Sequence, residues 1–208
     1  VCGLVVTMVS GAGRARREDR VDSQPVLASW RAGAHYQLES GRARKRSQRM
    51  LIEIFSDVVC PWCYIGKRRL DGVLDTLGRD GFEIRWRAFQ LYPMLPEDGV
   101  PRADFMRARF GSGADPARIY ARILEEAAPL GLDLDFAVIE RAPNTLRAHR
   151  LLAWAGVGAA QHALAEELFR SYFSQGRDLC DPAVLADAAA RAGFDRAAAL
   201  DAIAHGAG

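Results

Sequence analysis

The sequence predicts an α/β fold in which one strand–helix–strand unit precedes a long, all-helical region. Residues 51–55 form a short apolar run that ends at a Ser-Asp turn, as expected of a buried strand. Residues 82–88 alternate apolar and polar side chains, which indicates a second, half-buried strand. From about residue 102 to residue 205, apolar residues recur at helical spacing and no strand pattern returns.

The helix between the two strands begins at the motif Cys60-Pro61-Trp62-Cys63. Apolar residues follow at spacings of three and four as far as Leu77, and Gly78 marks the helix end. Pro61 suits the first helical position, because that position requires no N–H donor. We therefore predict a βαβ unit with parallel strands, in which the cations at positions 67–69 face solvent.

We divide the chain into residues 1–49, 50–101 and 102–208. In the last segment, Asp115 and Asp181 each precede a proline, a pattern typical of a capped helix N-terminus. The first segment holds ten Lys/Arg against four Asp/Glu and has no sustained period from residue 11 onwards. We expect it to be disordered or non-native, with the native start at Met50.

Charge and hydropathy limit the partners and the location. Residues 50–208 carry 18 Lys/Arg and 22 Asp/Glu, so they lack the basic excess of a nucleic-acid-binding surface. No apolar run approaches the ~20 residues that span a bilayer. The first arginines follow the apolar residues 1–9, whereas a secretory signal places its basic residues first. We expect a cytoplasmic protein without a nucleic-acid or membrane partner.

Cys60 and Cys63 predict a redox-active dithiol. A helix N-terminus stabilises a thiolate, so we expect Cys60 to be the exposed nucleophile, with a pKa lowered mainly by the helix. Cys63, one turn further, is expected to be more buried and to resolve the mixed disulfide. Pro61 and Trp62 offer no cation to the thiolate, so we expect a less extreme oxidant than a site with histidine between its cysteines.

A zinc site is the alternative for a Cys-x-x-Cys pair. Structural zinc takes four ligands and needs a second pair of Cys or His. None of the four histidines is paired at ligand spacing, and Cys180 is isolated in the sequence. We therefore predict no metal and no bound cofactor, and we interpret Cys180 as a small buried apolar residue.

Several segments carry a resemblance to a known family: FSD at 55–57, VCPWCYIG at 59–66, WRAFQLYP at 86–93, PNT and AHRL within 143–151, and YFSQG at 172–176. The chain resembles the DsbA family of thioredoxin-fold oxidoreductases, and more closely its FrnE-like branch. The resemblance implies a thioredoxin-like core with an all-helical insertion, and exchange with protein or small-molecule thiols and disulfides. The family continues with a cis-proline loop, two strands and a helix. Since no strand pattern follows residue 190, we expect a copy truncated before those strands.

Three further residues are candidate neighbours of the dithiol. Asp57 is either a proton relay or a turn residue that caps local N–H groups. His149 lies in a segment whose helix faces the active site in the resembling proteins, and a core or surface position is the alternative. Asn144 is interpreted as a helix cap first and a ligand contact second.

Other functions stay open on the sequence. The 2-hydroxychromene-2-carboxylate isomerases share the plan of the resembling family and depend on glutathione, which makes glutathione a candidate co-substrate here. Those isomerases have serine at the position of Cys60, so the intact pair argues against this function. The FrnE-like resemblance also leaves polyketide tailoring open, and a binding or chaperone module without catalysis is the last alternative.

Overall fold

The computed structural model describes residues 5–9, 49–113 and 115–205. The strands are β1 (Val5–Val9), β2 (Met50–Ser56), β3 (Phe82–Ala88), β4 (Val100–Pro101) and β5 (Arg141–Ala142). The α-helices are α1 (Pro61–Leu77), α2 (Arg102–Phe110), α3 (Pro116–Ala127), α4 (Leu146–Trp154), α5 (Ala159–Phe173), α6 (Pro182–Arg191) and α7 (Arg196–His205). Short 3-10 turns follow α1 (Arg79–Gly81) and α3 (Ala128–Leu130). None of the described helices is long and apolar enough to cross a membrane.

The main sheet has the strand order β1-β2-β3. β2 and β3 run parallel, with Ile54 opposite Trp86, which confirms the predicted strand–helix–strand unit. β1 pairs with the other edge of β2 and runs antiparallel, with Val5 opposite Phe55. β1 lies in the segment for which no regular structure was predicted, and its apolar, β-branched sequence suits a strand. Residues 10–48 of that segment lie outside the described residues.

The outer edge of β3 is covered by a side chain from α5. Gln161 accepts a hydrogen bond from the backbone N–H of Trp86 at 2.8 Å and donates to the carbonyl of Leu152 at 2.7 Å. A strand edge otherwise presents unpaired backbone groups, which are costly when buried. The buried Gln161 amide therefore joins the sheet to the helical region.

The helical region is capped and packed as the sequence indicates. The side chains of Asp115 and Asp181 accept hydrogen bonds at the first turns of α3 and α6, as predicted. Tyr64 of α1 stacks on Phe169 of α5 with ring centroids 4.8 Å apart. One hydrophobic core consequently runs from the sheet through α1 into the helices that follow β3.

A two-stranded ribbon of β4 and β5, not predicted from sequence, sets where α2 begins. Val100 lies opposite Ala142 in this ribbon. Gly99 precedes it with φ +66°, and a Cβ at this position would lie 2.6 Å from the carbonyl oxygen of Ala142. Only glycine tolerates both the backbone angle and this close approach.

Lys67 does not face solvent, contrary to the prediction for positions 67–69. It is 3% exposed, and its Nζ lies 2.8 Å from Asp71 and 2.7 Å from Glu166 of α5. His162 of α5 contacts the other carboxylate oxygen of Asp71 at 2.6 Å. We name Lys67, Asp71, His162 and Glu166 the Lys67 cluster. The prediction was wrong because the sequence does not show that α5 packs over this face of α1.

Candidate active site

The turn after β2 delivers Cys60 to the start of α1. The N–H of Cys60 donates to the carbonyl of Asp57 at 3.0 Å, and Cys60 is the N-cap residue of the helix. Pro61 is the first helical residue, as predicted. Among the described residues no side chain caps this helix N-terminus, and the first turn of α1 contains no acidic residue. The positive end of the helix dipole is therefore available to an anion at Cys60.

Both cysteines are thiols, and both are buried. Cys60 is 1% exposed and Cys63 is 3% exposed, so the prediction of an exposed Cys60 was wrong. The cause is tertiary, because α2, α3 and the loop after β3 cover this end of the sheet. The two residues still differ in access. Cys60 lines a cavity of about 470 Å³, whereas Cys63 does not.

A hydrogen bond between the two thiols lowers the pKa of Cys63 from its usual 9.0 to about 7. Burial works in the opposite direction, and a hydrogen bond with Ser56 adds to the lowering. The thiol that keeps the proton donates it to the other sulfur, so the contact stabilises a thiolate on either one. The predicted effect of the helix on the pKa of Cys60 stays a prediction.

Asp57 lies under the turn and holds the loop after β3. Its carboxylate accepts a hydrogen bond from the backbone N–H of Leu91 at 2.7 Å, so its contact is tertiary rather than the local cap considered as an alternative. Its other oxygen lies 3.4 Å from Nε2 of His149 in α4. Both side chains are buried, and neither of these two atoms has a hydrogen-bond partner among the described residues.

His149 also borders a second cavity on the β3 side of the molecule. This cavity has a volume of about 380 Å³ and is lined by residues of β3, α4 and the turn at Gly156. The structure thus brings together two predicted neighbours of the dithiol, Asp57 and His149, and gives the imidazole its own opening away from the Cys60 cavity.

Asn144 precedes Thr145, the N-cap residue of α4, and does not line the Cys60 cavity. Its side-chain oxygen accepts from the N–H of Leu146, the first residue of α4, at 3.0 Å, so Asn144 contacts the helix start from one position before the N-cap and the predicted cap position was wrong by one residue. The same oxygen accepts from Gln90, and its amide donates to the carbonyl of Leu95 at 2.7 Å. Asn144 therefore ties α4 to the loop that covers the dithiol.

The wall of the Cys60 cavity is mainly apolar and aromatic. Pro61 and Trp62 lie at the thiol end. Its charged lining residues are Arg102 and Arg109, both in α2, and no carboxylate lines it within the described parts of the chain. The sequence did not identify these arginines as site residues. They come close to the dithiol only because β4 pairs with β5 and so positions the start of α2.

Comparison with known proteins identifies relatives of this arrangement. A profile of the DSBA-like thioredoxin domain family matches residues 51–208. The uncharacterized protein YwbO of Bacillus subtilis is 26% identical over 149 residues, which make up 70% of this chain and 68% of that protein.

Two solved structures have a similar fold. The crystal structure of a probable DsbA oxidoreductase from Streptomyces coelicolor is 30% identical with a TM-score of 0.63, over 74% of this chain and 67% of that one. A 2-hydroxychromene-2-carboxylate isomerase is 17% identical with a TM-score of 0.51, over 74% of this chain and 71% of that one, and it shows the fold alone. These findings confirm the predicted thioredoxin-like fold with its helical region. They also confirm the resemblance to the DsbA family from which that fold was predicted.

Proposed function

The chain belongs to the family of DSBA-like thioredoxin domains, and from this we propose that it is a thiol–disulfide oxidoreductase that acts through Cys60 and Cys63. One observation carries the proposal. The two thiols are hydrogen-bonded to each other at the junction of β2 and α1, and the contact lowers the pKa of Cys63 to about 7. A dithiol with this pKa is partly ionised at neutral pH and is therefore a competent nucleophile.

The difference in access to the cavity assigns the attacking role to Cys60 and the resolving role to Cys63. Cys60 lines the cavity and attacks a disulfide that enters it, so that a Cys60–substrate disulfide forms and one half of the substrate leaves as a thiolate. Cys63 then attacks the sulfur of Cys60, the mixed disulfide breaks and the second half leaves. Two electrons pass from the dithiol to the substrate, and the reverse sequence oxidises a substrate dithiol.

Asp57 and His149 take up the proton of Cys63. Near neutral pH the pair keeps one proton, and that proton has to leave before Cys63 can attack. The carboxylate of Asp57 is close enough to act on the Cys63 thiol, since its charge opposes ionisation of Cys63. His149 lies 3.4 Å from Asp57 and borders the cavity on the β3 side, which supports passage of the proton in that direction.

Redox titration tests the proposal. The protein is equilibrated in glutathione buffers of graded potential, thiols are trapped by alkylation, and the cysteines are assigned by mass spectrometry. We expect a Cys60–Cys63 disulfide that forms and is reduced reversibly. The variant Cys180→Ser is the matched control and retains this behaviour, because Cys180 is buried away from the pair. A wild-type protein that forms no such bridge at any potential would overturn the proposal.

A turnover assay distinguishes thiol–disulfide exchange from isomerase and binding functions. Reduction of a disulfide by dithiothreitol is measured with and without the protein and with Cys60→Ser. The proposal expects acceleration by the wild type and none by the variant. Equal acceleration by both would instead favour isomerase or binding activity.

A further inference from the structure

Arg102 places a positive charge in the Cys60 cavity, and no described residue supplies an anionic partner. Its guanidinium donates to the hydroxyl of Tyr172 at 3.1 Å and to the hydroxyl of Tyr120 at 2.5 Å. In the part of the chain that the structure describes, no carboxylate pairs with it. Arg102 is half-buried, at the first residue of α2.

The two tyrosines aim the guanidinium but do not neutralise it. Tyr172 donates its own proton to the carbonyl of Arg141 at 3.3 Å, and Tyr120 donates to the sulfur of Met106 at 3.1 Å. Burial raises the pKa of Tyr172 well above its ordinary value, so this hydroxyl stays neutral. Tyr172 therefore accepts from Arg102 as a neutral group, and the bonds to the two hydroxyls use two of the five donors of Arg102.

The rest of the wall suits an apolar body. Aromatic rings from several elements line the cavity, among them Phe105 of α2, Phe136 of the loop before β5 and Phe173 of α5. Tyr120 stacks on Phe136 with ring centroids 3.9 Å apart, so this part of the wall is a rigid aromatic surface. A half-buried cation beside such a wall attracts an anionic ligand more strongly than it would in bulk water. Arg109 is exposed and lines the same cavity, so it adds to the positive potential there.

We propose that the Cys60 cavity binds a small, mainly aromatic or aliphatic disulfide or thiol that bears a carboxylate. The carboxylate pairs with Arg102, the body packs on the aromatic wall, and the sulfur meets Cys60. The inference deepens the proposed function and rests on it for the chemical step. Cys60 attacks the disulfide of the bound molecule, one half leaves as a thiolate, and Cys63 releases the other half while the Cys60–Cys63 disulfide forms.

Binding of a probe without sulfur tests the site independently of redox chemistry. Calorimetry compares naphthoate with the uncharged naphthamide. We expect Arg102→Met to weaken naphthoate binding about 10- to 100-fold and to change naphthamide binding less than about threefold, since a charge-assisted hydrogen bond is lost only with the anion. Arg118→Met, on the exposed surface of α3, removes the same charge and leaves both affinities unchanged.

Kinetics test the chemical step with matched disulfides. The reduced protein reacts with anionic dithiobis(nitrobenzoate) or with neutral dithiodipyridine, and the phase that disappears in Cys60→Ser is analysed. Arg102→Met is expected to slow this phase about 10- to 100-fold for the anionic disulfide only, and Arg102→Lys to restore much of the rate. Naphthamide affinity reports whether each variant retains its cavity.

The outcomes separate this inference from the proposed function. Equal losses for anionic and neutral probes, or no loss for either, overturn the anionic substrate site. A wild-type protein that binds naphthoate through Arg102 but shows no Cys60-dependent reaction retains the anion site and overturns the oxidoreductase function.

Discussion

The hydrogen bond between Cys60 and Cys63 makes the two thiols act as one acid. Under the proposed function, the thiol that keeps the proton donates it to the sulfur that carries the charge, first when Cys60 attacks and then when Cys63 attacks. Burial of both residues excludes water and strengthens this contact, because a hydrogen bond to a charged sulfur is worth more at low dielectric.

Removal of one thiol is expected to raise the pKa of the other. In Cys60→Ala, Cys63 loses its main stabilising donor, so its pKa rises from about 7 toward the usual 9.0. Thiolate absorbance in the ultraviolet as a function of pH measures the midpoint, in a Cys2→Ser background. Cys180 does not interfere near neutral pH, because burial raises its pKa to about 11. A midpoint that stays near 7 in Cys60→Ala contradicts the pairing.

Asp57→Asn is expected to slow the resolving step rather than the first attack. The amide still accepts the N–H of Leu91 but cannot take a proton from Cys63, so release of the second half of the substrate slows about 10- to 100-fold. His149→Gln is expected to alter the pH dependence of the same step. Single turnover with glutathione disulfide separates the two releases.

The matched control for the relay is His205→Gln, since His205 is exposed at the end of α7. Its pH profile should equal that of the wild type. If Asp57→Asn slows both releases equally, the pair is structural and the relay is wrong.

At the scale of elements, the Lys67 cluster fastens α1 to α5. Trp86 donates its indole N–H to Nδ1 of His162 at 3.1 Å, so Nδ1 is the acceptor in this contact. The Nε2 proton then points at Asp71, 2.6 Å away. The cluster is thus a satisfied polar network in which each group has a partner and α1 is held in one orientation over the sheet.

Lys67→Met is expected to destabilise the protein by about 2–3 kcal/mol. The side chain is nearly isosteric, but its removal leaves Asp71 and Glu166 facing each other with a partner missing. Arg69→Met is the control on the same helix: its side chain is 54% exposed and pairs with Glu126 of α3, so its removal should cause no measurable change. Urea denaturation measures both. Equal effects of the two variants contradict a special role for the cluster.

The cluster also predicts the acid limit of stability. Burial opposes ionisation of Asp71 and Glu166, but hydrogen bonds from His162 and Lys67 to Asp71 and the charge of Lys67 near Glu166 prevail, so both pKa values are lowered. The unfolded chain therefore takes up protons first as the pH falls. Stability from the cluster is complete above about pH 5 and is lost progressively below about pH 4. The free energy of unfolding should fall less steeply with decreasing pH in Lys67→Met than in the wild type. Equal slopes in the two proteins would show that the acid limit does not come from the Lys67 cluster.

At the scale of the whole molecule, the predicted boundary at residues 101 and 102 does not interrupt the core. Ile54 and Trp86 of the sheet belong to the same buried cluster as Phe169 and Leu185 of the helices. Because Gln161 and the Lys67 cluster add polar contacts across the same boundary, neither side is complete without the other.

The described regions are expected to unfold in a single cooperative transition. Tryptophan fluorescence in the triple variant Trp30→Phe/Trp62→Phe/Trp154→Phe, which retains the indole of Trp86 alone, reports on the sheet, and far-ultraviolet circular dichroism reports mainly on the helices. Shared core packing predicts coincident urea midpoints for the two signals. Midpoints that differ would show that the helical segment folds on its own.

Local signals were predictable and distant contacts were not. Pro61 at the first position of α1, the caps at Asp115 and Asp181, and the burial of Ile84 and Trp86 follow from spacing along a few residues. The exposure of Lys67 and Cys60 was predicted wrongly, because each is covered by an element more than 30 residues away in sequence. Patterns along the sequence do not show which distant element packs over a given residue.

The amino-acid sequence by itself determined the dithiol, the helix that presents it and the family resemblance, since all three depend on residues adjacent in the chain. Only the tertiary structure decided that Cys60 lies in an apolar cavity, that Asp57 faces His149 and that Arg102 has no carboxylate partner among the described residues. These features depend on which helices fold back onto the sheet, and the physical reason is that burial and pairing of charge arise between residues far apart in sequence.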